Sequence, residues 1–117
     1  MKIKNLTLRP VIFLNDENEE ILRVEPVEPV FNKFRVERIP KDLGAITVDG
    51  VEIDVVGYEY GEKVHMPEPE DDTIFIVSIS ALNACPERKD FFITDKPVHD
   101  KNRNIIGWRN LTRLNHI

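Results

Sequence analysis

Two arginines near the C-terminus have the type and spacing of an anion clamp. Arg109 and Arg113 stand four residues apart within residues 105–114, an apolar-rich segment that predicts a strand. Since successive side chains of a strand point to opposite faces, both guanidinium groups fall on one face and Trp108 on the other. Two such groups can bind a phosphate or a carboxylate through forked hydrogen bonds. The alternative is an edge strand whose charges discourage aggregation.

Three further charged residues complete the predicted ligand-binding set. Arg88 and Asp90 lie in the charged turn 86–90, where they form either a local structural pair or a ligand-reaching arginine with the carboxylate that orients it. Arg35 stands between two apolar residues of a short predicted strand and points away from them, which makes it a reserve ligand residue. The set therefore comprises Arg35, Arg88, Asp90, Trp108, Arg109 and Arg113.

The other reactive residue types favour structural roles. The three histidines have no second ligand at metal-binding spacing, and the acidic run 68–72 lacks the alternating ligands and central glycine of a calcium loop. Ser78 follows a predicted strand and precedes a predicted helix, but Val77 and Ile79 replace the glycines of a nucleophile elbow, so helix capping explains it better. We therefore expect no catalytic residues, no metal and no cofactor.

The composition indicates a single domain. With 117 residues, the chain is long enough for one domain, residues 1–117, with one modest core. The net charge of −5 argues against general binding to duplex nucleic acid, although residues 87–117 hold seven basic and four acidic side chains. The sequence has no apolar stretch long enough for a membrane-spanning helix and no apolar run near its N-terminus of the kind that directs secretion. A cytoplasmic location is therefore expected.

Short apolar or alternating segments predict a chain built mostly of strands. Asp49-Gly50 is a strong hairpin signal, a second hairpin is expected at residues 15–18, and the proline-rich piece 24–30 should lie at an edge or outside a sheet. The strands are predicted at residues 2–6, 11–14, 21–24, 34–37, 45–48, 51–55, 73–77, 91–93 and 105–114, with 73–77 as the central one.

One short helix is predicted at residues 78–85. Ser78 can cap its N-terminus, while Ile79, Leu82 and Cys85 recur along one side and Pro86 lies just beyond its end. The fold class is therefore mainly β (β-rich α+β): a single-domain antiparallel sandwich or partly open barrel with one short helix.

The order of several short motifs resembles a family of small uncharacterised proteins encoded by phages, prophages and bacterial genomes. Its members open with N-L-T-x-H-x-V, pass through L-P-E-P into T-x-Y-I-V-S and P-x-R-x-D, and close with G-R-I-I-G-x-R-x-L. The corresponding segments of this chain are residues 5–7, 66–69, 73–78, 86–90 and 104–111, and Arg9 stands where the family pattern has histidine. The resemblance implies a phage or mobile-element setting and brings no established activity with it.

That setting leads to two functional hypotheses. The first is a non-enzymatic binding protein, a sponge that sequesters a small anionic immune signal such as a cyclic or modified nucleotide, held by arginines and an aromatic face. The alternative is a protein-interaction or virion accessory module that docks a protein partner by strand addition. A small hydrolase that uses Ser78 or Asp90 is a third interpretation. A chain of this size gains core and pocket depth by assembly, so a homo-oligomer is expected, without duplex nucleic acid or membrane as partner.

Overall fold

Eight strands and one helix make up the part of the chain that the structure, a computed structural model, describes, residues 1–28 and 34–114. The mainly β class with one short helix is confirmed, and the sheets do not close into a barrel. In chain order the elements are β1 (Lys2–Asn5), β2 (Val11–Leu14), β3 (Glu20–Val24), β4 (Arg35–Val48), β5 (Val51–Val64), β6 (Thr73–Ile76), α1 (Ile79–Ala84), β7 (Phe91–His99) and β8 (Ile105–Thr112).

Six of the strands form one mixed sheet in the order β1-β6-β7-β8-β2-β3. The expected antiparallel arrangement holds for β7–β8 and β2–β3, whereas β1–β6, β6–β7 and β2–β8 are parallel pairs. Between β6 and β7 the chain runs through α1 and returns to the same end of the sheet, as the connection of a parallel pair requires. The parallel pairs thus join segments that are distant in sequence, such as Lys2 and Thr73.

Strand β6 lies inside the sheet, between β1 and β7, and is buried on both faces. Phe75 packs in a core cluster with Leu82 and Phe91, while Ile76 packs in a second cluster with Phe13. Side-chain alternation along the strand places these two neighbours on opposite faces. The most β-prone segment of the sequence therefore links the two halves of the core.

The short helix α1 has the caps that its sequence predicts. Ser78 is the N-cap and its side chain accepts a hydrogen bond from the backbone N–H of Ala81 at 3.1 Å. Leu82 and Cys85 are buried as expected, and burial raises the pKa of the Cys85 thiol, but Ile79 is 62% exposed because it lies in the first turn, away from the core. No helix among residues 1–28 and 34–114 is long and apolar enough to cross a membrane.

Strands β4 and β5 form a separate two-stranded antiparallel sheet of 14 residues on each side. Its turn is Asp49-Gly50, with positive φ at both residues, as predicted. The sequence predicted two short strands, 34–37 and 45–48, where the structure has one long β4 that continues through Pro40 and Gly44. Since β4 pairs with β5 alone in this sheet, Pro40 sits in a strand with an unpaired edge, the kind of strand in which proline is tolerated.

The second predicted hairpin, at residues 15–18, joins β2 and β3. Asn15 organises the turn, since its Oδ1 accepts hydrogen bonds from the backbone N–H groups of Glu17 and Glu19. In the proline-rich piece, Pro26 forms an isolated bridge with Asn5 outside the named strands, and residues 29 and 30 of this piece lie outside the described residues.

The close approach of β2 and β8 requires glycine at position 107. A Cβ added there would lie 2.7 Å from Cγ of the buried Leu14 and 3.0 Å from the backbone oxygen of Ile12. We expect Gly107→Ala to lower the free energy of unfolding by about 2 kcal/mol through overpacking, measured by urea denaturation. Gly57→Ala is the matched control, because its Cβ would meet the end of the exposed Leu43 side chain. Equal stability of the two variants would contradict this account of Gly107.

Candidate functional site

A pocket of about 990 Å³ opens at one edge of the six-stranded sheet. It lies where the parallel neighbours β1 and β6 end, between the loop 6–10, the start of β4 and the segment that leads into α1, and residues of β7 and β8 complete its wall. The carboxyl ends of neighbouring parallel strands are a common place for ligand sites, because the chain leaves the sheet there in both strands. The parallel pairing therefore creates a concave site that the sequence pattern did not indicate.

Asn5 holds the loop that forms one wall of this pocket. Its side chain is fully buried, and its Nδ2 donates hydrogen bonds to the carbonyl oxygens of Arg9 at 2.8 Å and Val24 at 3.1 Å. Its Oδ1 accepts from the backbone N–H of Thr7 at 2.9 Å and from the Thr7 hydroxyl at 2.5 Å. One amide thus fixes both ends of the turn from Asn5 to Arg9, which explains why Asn and Thr stand two residues apart here.

Two arginines contribute to the pocket wall. Arg9 leaves the loop that Asn5 holds, and Arg35 begins β4; both side chains are exposed. Within residues 1–28 and 34–114, neither guanidinium group forms a hydrogen bond or an ion pair with a protein group. Both can therefore give their forked donors to an anion in the pocket.

An aromatic ring and hydroxyl groups share this pocket with the arginines. Trp108 is partly buried against the cluster that contains Phe13 and Ile76, so its ring is held in place while it lines the pocket. Ser78 and Ser80 also line the pocket, from the segment where the chain passes into α1. The Ser78 oxygen accepts the capping bond from the helix, and its hydroxyl hydrogen can still be donated to a ligand.

Of the six predicted ligand residues, the structure brings Arg35 and Trp108 together in this pocket. Arg9 was not among the ligand residues predicted from the sequence. It lies two residues after Thr7 in the loop that leads from β1 to β2, and only the folded structure places it in the pocket wall.

Arg88 and Asp90 form a two-bond ion pair elsewhere on the molecule. Nε and Nη2 of Arg88 each donate to one Asp90 oxygen at 2.8 Å, and Nη1 donates to the carbonyl oxygen of Pro67 at 2.7 Å. The guanidinium carbon also lies 4.2 Å from the Phe91 ring centroid. The structural alternative for this pair is the one that the geometry supports, since two of the bonds close the turn 86–90 on itself and the third ties it to Pro67.

The remaining two arginines do not lie side by side. Arg109 donates to the carbonyl oxygen of Asn15 and, at 2.6 Å, to Oδ1 of Asn18, so it fastens the β2–β3 turn. Arg113 follows the end of β8, and its guanidinium carbon lies 6.0 Å from the Phe92 ring centroid. The edge-strand alternative is wrong, because β8 lies between β7 and β2 inside the sheet. Ligand binding by Arg109 and Arg113 stays a prediction.

The described residues hold no group of three or more His, Cys, Asp or Glu side chains placed to bind a metal ion. In comparisons with known proteins, the chain matches no protein-family model, no curated protein and no solved structure.

The Arg88–Asp90 pair makes stability depend on pH. Hydrogen bonding from Arg88 lowers the pKa of Asp90 in the folded protein. The ion pair therefore contributes fully to stability at any pH above the pKa of an unfolded-state Asp, about 4. This contribution is lost as the pH falls through the lower pKa of Asp90 in the folded state. We expect Asp90→Asn to lower the free energy of unfolding by about 2 kcal/mol at pH 7, and by progressively less below pH 4. Denaturation curves from pH 7 to pH 2 check this, with the exposed Glu87→Gln as control. A difference from wild type that is constant across this range would contradict the role of the ion pair.

Removal of the Asn5 amide should be costly. Asn5→Ala leaves the carbonyl oxygens of Arg9 and Val24 and the N–H of Thr7 without their side-chain partner, and we expect a loss of about 3 kcal/mol in urea denaturation. Thr7→Val removes one hydroxyl bond to the same amide and should cost about 1 kcal/mol. Equal losses in the two variants would show that the amide is not the centre of this network.

Proposed function

We propose that this protein binds a small anionic ligand that carries a flat ring, such as a cyclic or modified nucleotide, in the pocket between β1, β6 and β8. The observation that carries the proposal is the meeting of Arg9, Arg35 and Trp108 in the wall of one pocket. The arginines supply forked donors for a phosphate, and the indole supplies a surface against which a base can stack.

The size and chemistry of the pocket support this ligand class. A volume of about 990 Å³ lies at the upper end of the range for small-molecule sites, roughly 300 to 1,000 Å³. The polar side chains that line it carry guanidinium, hydroxyl and indole groups, all of which can donate hydrogen bonds. On a chain of net charge −5, two guanidinium groups without a partner among the described residues favour an anionic ligand in this pocket.

The proposed role is sequestration without turnover, in the phage or mobile-element setting that the motif resemblance implies. A protein that removes an immune signal from solution must bind it tightly and be abundant. Its site needs hydrogen-bond donors and an aromatic surface, and it does not need a general acid or a general base. Two arginines and a partly buried tryptophan in the wall of one pocket support this role.

Binding should depend on the pocket residues. We expect titration calorimetry with AMP, cyclic AMP and cyclic di-AMP to find binding to at least one, with inorganic phosphate as a reference for the charge alone. Arg9→Ala, Arg35→Ala and Trp108→Leu should each weaken it about tenfold or more, since each removes a charged or stacking contact. Lys101→Ala, an exposed cation in the β7–β8 turn, is the control and should bind like wild type.

Native mass spectrometry then extends the search beyond these probes. Protein exposed to lysate of bacteria with an activated nucleotide-signalling defence should gain a discrete mass of nucleotide size, and the Arg35→Ala variant should not. A ligand that is lost in Arg109→Ala and retained in the three pocket variants would move the site to the C-terminal strand. Failure of both assays would overturn the proposal in favour of a protein partner.

A further inference from the structure

The outer half of the β4–β5 hairpin, residues 42–56, presents apolar side chains to solvent. All residues from 41 to 54 are exposed, and Ile46, Val48, Val51 and Ile53 retain between 47% and 59% of their accessible surface. A two-stranded hairpin is marginally stable in water unless a further strand or another element covers its apolar face. The inner end of the hairpin is covered, because Phe34 belongs to the main core cluster and Val36 packs against it.

The charged side chains on the two strands of the outer hairpin lie on one face. Cross-strand pairing sets Val48 opposite Val51 and Ile46 opposite Ile53, and alternation places these four residues on one face. The intervening pairs, Thr47 with Glu52 and Ala45 with Asp54, lie on the other face. This half of the hairpin thus has an apolar face of four β-branched residues and an opposite, acidic face, where the exposed Val56 lies with the carboxylates of Asp42, Glu52 and Asp54.

We propose that the apolar face of the outer hairpin packs against the same face of a second copy of this chain. The charge distribution favours this occupant, because the four side chains that meet are uncharged in both copies. Glu52 and Asp54 then point outward from both hairpins and keep their water, whereas contact between the acidic faces would bring like charges together. A two-fold contact of this kind is self-complementary and closes at two copies.

The area available sets the strength of the dimer. The strands of the outer half, residues 42–48 and 51–56, extend roughly 20 to 23 Å, and two strands give a face about 10 Å wide. Such a face is smaller than the roughly 800 Å² per partner of a standard protein interface. The dimer is therefore concentration-dependent, with a dissociation constant in the micromolar range or weaker.

Sedimentation velocity of the full chain from about 1 to 500 µM tests this interface. The wild type should change from monomer to dimer across the range, and Ile53→Lys should stay monomeric. The dimer of this variant would bury one lysine from each copy, and the cost of desolvating the two charges should weaken dimerisation at least about 100-fold. Thr47→Lys is the matched control, because it adds the same charge to the same hairpin on the opposite face and should dimerise like wild type.

Cross-linking through an added cysteine guards against an effect of Ile53→Lys on folding. Cys85 is fully buried, so in Val51→Cys and Glu52→Cys the new thiol is the accessible one. Oxidation should link Val51→Cys into dimers and leave Glu52→Cys mostly unlinked.

Three outcomes would overturn the interface: a wild type that stays monomeric up to 500 µM, a dimer that survives Ile53→Lys, or equal linking of both cysteine variants. Nucleotide binding by the Ile53→Lys variant is measured separately, so the failure of this interface is distinguishable from the failure of the pocket.

Discussion

The burial of β6 between β1 and β7 is the constraint on which the rest of the structure depends. Its consecutive residues Phe75 and Ile76, each 1% exposed, pack into different core clusters, so this strand must be covered on both faces. The neighbours of β6 in the sheet come from segments far apart in the chain. β1 pairs along one side of it, and β7 pairs along the other side after the connection through α1. Because β1 and β6 are parallel, their carboxyl ends lie at the same edge of the sheet, and the pocket forms there.

Arginines of the same chemistry have different roles in this fold because their surroundings differ. Arg88 lies among carboxylate, carbonyl and ring partners that satisfy it within the protein, and Arg109 is bound by the β2–β3 turn. Arg9 and Arg35 face the pocket without such partners in the described part of the chain, and their hydrogen-bonding capacity is left to solvent or a ligand. For an arginine, the partners already present within the fold thus decide whether it stabilises or binds.

The long hairpin shows a different balance. Its inner end is held by core contacts, while its outer half extends as two strands whose apolar side chains are exposed. Such an arrangement leaves apolar surface in water, a cost that association of two copies reduces. The proposed dimer face and the pocket use different residues of the molecule, so assembly and ligand binding can be tested apart.

Local chemistry was sufficient to predict the features that neighbouring residues control. The Asp49-Gly50 turn, the Ser78 cap, the burial of residues 73–77 and the mainly β class all follow from backbone preference and short-range patterning. Trp108 and Arg35 were correctly placed on strands. Nothing local shows that they share one pocket, and their ligand role stays a prediction.

Tertiary structure decided the features that depend on which segments pair. Parallel pairing between Lys2–Asn5 and Thr73–Ile76 leaves no signal in either segment, because the register is set by burial across some 70 residues of chain. Arg9 follows β1 and reaches the pocket through this pairing. Pairing with β2 put β8 inside the sheet, and pairing with β5 joined two short predicted strands into the single strand β4. The sequence by itself therefore determined the elements and their turns, whereas the fold decided the site, since a pocket is a property of segments that meet only after the core is buried.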